Sequence, residues 1–254
     1  MEELSKALHE YLAPRRHSVL LAALISAFMV RPLMGDTGMG VTVFGIVMVL
    51  LLLVALYNID IDELVGEKGR LLAQSQRRRI YGWVLAAAAA VERITVIFVD
   101  SQRMRLVTSV CWLLFVLFVT LSQLRSLLKQ REVTSETICS AVSVYLLLGL
   151  TWTFVYALLS LMRPESFAGF TAVKSTQTEL QHIFPILGYF SLTTLSTIGF
   201  GDITPLTLQA RYAAVAEGIC GQFYMAILVA RLVGIQMSQV ASRQGEYRST
   251  GLVS

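Results

Sequence analysis

Between Thr197 and Asp202 the chain reads Thr-Ile-Gly-Phe-Gly-Asp, a run whose residue types suit it to binding a bare cation. Successive backbone carbonyls can face one axis only if the backbone alternates between right- and left-handed conformations. Glycine enters the left-handed region without a side-chain penalty, so Gly199 and Gly201 suit two of those positions. Ile198 and Phe200 then point away from the axis and can pack behind it. Thr197 offers a hydroxyl at one mouth. Asp202, at the other, can anchor the loop by hydrogen bonds and draw cations toward it.

A second candidate is Glu217, an ionisable group inside an apolar run, where a charge is costly and marks a functional site by default. One reading makes it a bonding partner for the loop or the helix before it, with proton sensing as a consequence; the other makes it a neutral, hydrogen-bonded packing residue. His182 is either a second proton sensor or a solvated loop histidine. Cys111, Cys139 and Cys220 have neither metal-ligand spacing nor a paired framework and read as small packing residues. No nucleophile–base–acid set, phosphate-binding glycine loop or metal cluster is present in the sequence, so enzymatic chemistry and a cofactor are not expected.

These residues must be held by a membrane protein. Hydrophobic residues make up 55% of the 254 and charged residues 15%, against about 25% charged in ordinary soluble domains. The net charge of +4 lies in short clusters, which argues against nucleic acid and for topology-setting loops. A crossing helix needs about 20 mostly apolar residues. Six segments qualify: Ser18 to Met34, Val41 to Tyr57, Ile80 to Val99, Leu106 to Leu124, Thr137 to Met162 and Leu206 to Met237. Lys6, Arg15 and Arg16 precede the first, but no small-residue cleavage site closes it and Arg31-Pro32 interrupts its end, so it reads as a retained helix.

Ile183 to Leu195 is apolar but too short to cross, and reads as a re-entrant segment whose helix starts near Pro185. Its C-terminal end carries partial negative charge, which favours a cation. Basic groups at Lys6, Arg15 and Arg16, at Lys68 to Arg79, at Arg125 to Arg131, and at Arg243 and Arg248 fall on one side if six helices cross. That side is cytoplasmic, with both termini, although Arg103 and Arg105 weaken the contrast. Asn58 to Gln76 reads either as a short interfacial helix or as a solvated connection.

In this context, the segment Ser191 to Asp202 closely resembles the pore signature of the potassium channel superfamily, and of a prokaryotic member in particular. The resemblance implies an all-α membrane protein with six transmembrane helices, a pore helix and a filter loop. It implies a homotetramer in which four chains each donate one loop around a shared axis. The ligands of the permeating K+ would be the carbonyls of Thr197, Ile198, Gly199 and Phe200 and the Thr197 hydroxyl. Phe200 stands where many relatives have tyrosine, which removes one hydroxyl behind the filter, and Thr193 stands where some have glutamate. Tyr189 and Phe190 match the family's aromatic cuff.

The last span resembles the family's inner helix. Gly218 and Gly221 are either a hinge or a close-packing site, since glycine in a helix costs about 1 kcal/mol relative to alanine. Gln222, Met225, Val229, Val233 and Met237 form one stripe, assigned to the cavity, with Val229 or Val233 as an apolar constriction. The domain boundaries that follow are an N-terminal segment 1–17, a voltage-sensor-like domain 18–131, a pore domain 132–238 and a tail 239–254.

The fourth span carries no charge from Leu106 to Leu124, so strong voltage gating is not expected. Glu92 and Arg93 are adjacent, face different directions, and read as packing or pairing groups. The first four helices could brace the pore, bind lipid or relay a signal from a regulatory ligand or subunit. The expected function is passive potassium conduction across the cell membrane. A less selective cation channel, the membrane subunit of a potassium uptake system and a non-conducting subunit are the alternatives.

Overall fold

The computed structural model describes residues 16–34, 43, 54, 102–130, 132–169 and 177–250. The second and third expected spans, the stretch Asn58 to Gln76, and Glu92 and Arg93 lie outside the described residues. Five helices are described: α1 (Arg16–Met34), α2 (Gln102–Lys129), α3 (Ser135–Met162), α4 (Gln177–Leu195) and α5 (Leu208–Thr250). Three of them are long and apolar enough to cross a membrane, over Arg105–Lys129, Ser135–Met162 and Leu208–Ala241.

α3 is the hub, packing against α1, α2, α4 and α5. Its sequence is apolar almost all round, the pattern of a helix with neighbours on every side. Thr134 caps its start, accepting the Thr137 amide while Thr137 bonds back to the Thr134 amide; such a capping box contributes about 1 kcal/mol. Arg163 closes the other end, its N–H bonding the Leu159 carbonyl at 2.9 Å, and Pro164 prevents continuation.

α1 and α2 meet α3 in one apolar cluster. Leu20, Leu24 and Ala27 pack with Trp112, Phe115, Val116 and Val119 and with Leu147 and Leu150. Thr120 and Thr151 add an interhelical hydroxyl contact at 3.1 Å. The start of α1 sits beside the start of α3, where Glu136 accepts the His17 amide at 3.1 Å and the Ser18 hydroxyl at 2.5 Å. Thus α1 and α3 run one way and α2 and α5 the other.

One expectation of extent changes. α4 begins at Gln177, so Pro185 lies inside it and not at its start. A proline interior to a helix removes one backbone donor; the burial of Ile183 and Leu187 on either side outweighs that loss. α5 is 43 residues long and runs as far as Thr250.

Candidate functional site

α4 runs into the Thr197–Asp202 loop through a tightened last turn. The Ser196 amide bonds the Leu192 carbonyl and the Thr197 amide the Thr194 carbonyl, both at 3.0 Å. The Thr193 carbonyl then receives two loop amides, Ile198 at 2.9 Å and Gly199 at 3.2 Å. The end of the helix therefore holds the loop by its backbone, and Thr193 itself is buried.

Within the loop, φ is positive at every second residue: +60° at Thr197, +52° at Gly199 and +81° at Gly201. Both glycines occupy the left-handed positions that their residue type suggests. Thr197 in that region is not an outcome its residue type suggests. A β-branched residue there costs on the order of 1–3 kcal/mol and persists only where its surroundings impose it; the Thr197–Thr194 bond is part of that restraint. Alternation of this kind turns successive carbonyls toward one side of the loop.

The side chains that alternate with the glycines, Ile198 and Phe200, turn toward other surfaces. Phe200 stacks on Tyr189 of α4, ring centroids 6.2 Å apart and planes within 1°. The Tyr189 phenol also lies near the Asp202 carboxylate, at the far end of the loop. Ile198 and Phe200 are 58% and 68% exposed, too apolar to be left to water by choice.

The segments that follow α3 and the loop brace the loop from behind. Two short strands, β1 (Phe167–Ala168) and β2 (Thr204–Pro205), pair antiparallel, Phe167 opposite Pro205. Gly169 follows β1 with φ +102°, and a Cβ there would collide with the Asp202 carbonyl. Phe167, Tyr156 and Phe190 form a triangle of edge-to-face rings with centroids 5.0 to 5.5 Å apart. Buried aromatic pairs of this geometry contribute about 0.5–1.5 kcal/mol each beyond their area.

Glu217 is fully buried at the meeting of three helices. Its Oε2 accepts the Tyr156 hydroxyl of α3, and its Oε1 lies 2.5 Å from the Ser191 hydroxyl of α4. Ser191 is in turn 2.8 Å from the Gly149 carbonyl of α3. The sequence pattern singles out the carboxyl but neither Tyr156 nor Ser191.

Gly221 is buried against the last residue of α4, where an added Cβ would collide with the Leu195 carbonyl. Gly218 is looser: an added Cβ there would lie 3.9 Å from the Thr194 carbonyl, ordinary contact distance. Gln222, Met225, Val229, Val233 and Met237 are all exposed on α5, as the stripe requires, but Phe223 and Ile227 are exposed too. Only 6% of the apolar window of α5 is buried, so a broad apolar face is free for other contacts. Arg231, half-buried in this region, is a contributor that the sequence pattern does not mark. It donates to the Leu128 and Gln130 carbonyls at 2.5 and 2.9 Å, closing the end of α2. Cys111, Cys139 and Cys220 are free thiols. The His182 side chain lies outside the described residues.

No curated protein and no solved structure matches the chain. Residues 132–237 match the family model described as "Ion channel". That interval runs from the capped start of α3 to the end of the α5 stripe, so α3, α4, the loop and most of α5 are similar in sequence to that family.

Proposed function

We propose that this chain is one subunit of a homotetrameric, potassium-selective channel of the cell membrane, with Thr197, Ile198, Gly199 and Phe200 as the K+ ligands. The observation that carries the reading is the alternation of φ at Thr197, Gly199 and Gly201. It aligns carbonyl oxygens that can replace the water shell of a dehydrated ion. One loop supplies one side of such a ring, so four chains are required. The exposed apolar side chains of the loop and of α5 are the surfaces that other copies would cover.

On this reading Val229 and Val233 narrow the inner path, Gln222 and Met225 line the cavity, and Gly218 and Gly221 let α5 approach the filter helix. The basic groups favour a cytoplasmic location for both termini, and α1 and α2 brace the pore through α3. The test is a flux assay: purified protein in liposomes, driven by a potassium gradient, with sodium as the competing ion. Potassium flux with sodium excluded supports the proposal, and equal passage of both makes it a non-selective cation channel.

A further inference from the structure

The hydroxyl of Ser191 carries one proton but lies within bonding distance of two acceptors, Gly149 O at 2.8 Å and Glu217 Oε1 at 2.5 Å. A hydroxyl donates once. If Glu217 were a carboxylate, one of these two oxygen–oxygen contacts would hold no proton and would repel. If Glu217 carries a proton on Oε1, every contact is satisfied: Glu217 donates to Ser191, Ser191 to Gly149, and Tyr156 to Glu217 Oε2. Three contacts then use three protons.

The surroundings agree with this count. α3 has no charged residue beyond Glu136, and α4 has none from Ile183 to its end. The titratable groups that face Glu217 from α3 are Tyr156 and, farther along, Tyr145. No Lys, Arg or His pairs with Glu217 among the described residues. A buried, uncompensated charge in such a place is far costlier than a bonded neutral acid.

We infer that Glu217 is held as a neutral carboxylic acid and acts as a positioning residue for the filter, its proton locking α4 between α3 and α5. Ser191 lies two residues before Thr193, whose carbonyl holds the Ile198 and Gly199 amides. Loss of the proton turns the Glu217–Ser191–Gly149 chain repulsive and frees α4, so the loop leaves its aligned geometry. The sign follows: the lock is intact while the acid is protonated and fails as pH rises through its titration.

This inference rests on the proposed reading of the loop as a potassium filter, and two measurements keep the two apart. Infrared difference spectra of the purified full chain, wild type minus Glu217→Gln, report the proton whether or not the protein conducts. A protonated-carboxyl C=O band at neutral pH, replaced by carboxylate bands under alkali, supports the inference; carboxylate bands alone at neutral pH overturn it. The second measurement is potassium flux in liposomes against pH. The glutamine amide can donate to Ser191 and accept from Tyr156, so Glu217→Gln keeps flux within about twofold and loses the alkaline fall. Glu217→Ala, which leaves Ser191 and Tyr156 without their partner, lowers flux by about tenfold or more. An alkaline fall that persists unchanged in Glu217→Gln overturns the inference. If wild-type vesicles pass no potassium, the filter reading fails while the infrared band still decides the proton.

Discussion

Gly221 of α5 and Leu195 of α4 meet backbone to backbone, with no room between them for a methyl group. Close approach is therefore one requirement at this glycine, and it acts at the helix end that carries the loop. Gly221→Ala is expected to destabilise the protein by about 1–3 kcal/mol, the usual cost of overpacking, and to reduce flux. Gly218→Ala faces open space by comparison and should be tolerated, gaining up to about 1 kcal/mol of helix propensity. Thermal unfolding of both variants in detergent checks this; equal losses would favour a hinge role shared by the two.

Tyr189 joins the loop at two points, through its ring to Phe200 and through its phenol toward Asp202. Tyr189→Phe keeps the stack and removes the polar link. Without that contact the far end of the loop is held less firmly, so the ratio of potassium to sodium permeability should fall. Phe200→Tyr retains the ring and should leave the ratio unchanged. Reversal potentials under mixed ions provide the measurement.

Arg231 ties α5 to the end of α2 through two carbonyls. A helix C-terminus favours a cation because its last carbonyls lack partners. Arg231→Ala should lower stability by about 1.5–3 kcal/mol, and Arg231→Lys by less, since a single ammonium can still reach a carbonyl. Chemical denaturation of the three proteins distinguishes these outcomes.

α2 carries Arg105 at its start and Arg125 near its end, with nothing charged between. Each elementary charge moved across the field is worth about 2.3 kcal/mol per 100 mV, and this helix has none placed to cross it. Conductance in planar bilayers should vary only weakly with voltage in symmetric potassium. A steep curve would require charges elsewhere in the chain.

The loop is legible in the sequence because its demand is local: Gly199 and Gly201 sit where the backbone must turn left-handed, and residue type reveals that. The spans at α2, α3 and α5 are legible for the same kind of reason, since twenty apolar residues are their own signal. Glu217 stands out as an ionisable group in an apolar run. Its partners do not, because Tyr156 lies 61 residues away and Ser191 lies 26 away, and only packing brings them together. Arg231 is visible as a charge beside Val229 and Val233, but its partners are carbonyls at the end of another helix, which no side-chain pattern marks. Thr197 at positive φ runs against local preference and follows from the helix end that grips it. Gly169 gives no sign either, since its need is the distant Asp202 carbonyl.

The most direct test of the central claim is ion flux into liposomes that hold purified protein, measured side by side for potassium and sodium. The account predicts potassium uptake down its gradient, little sodium uptake, and loss of selectivity when Gly199→Ala removes the left-handed position. Sodium passing as readily as potassium through the wild-type protein would contradict it.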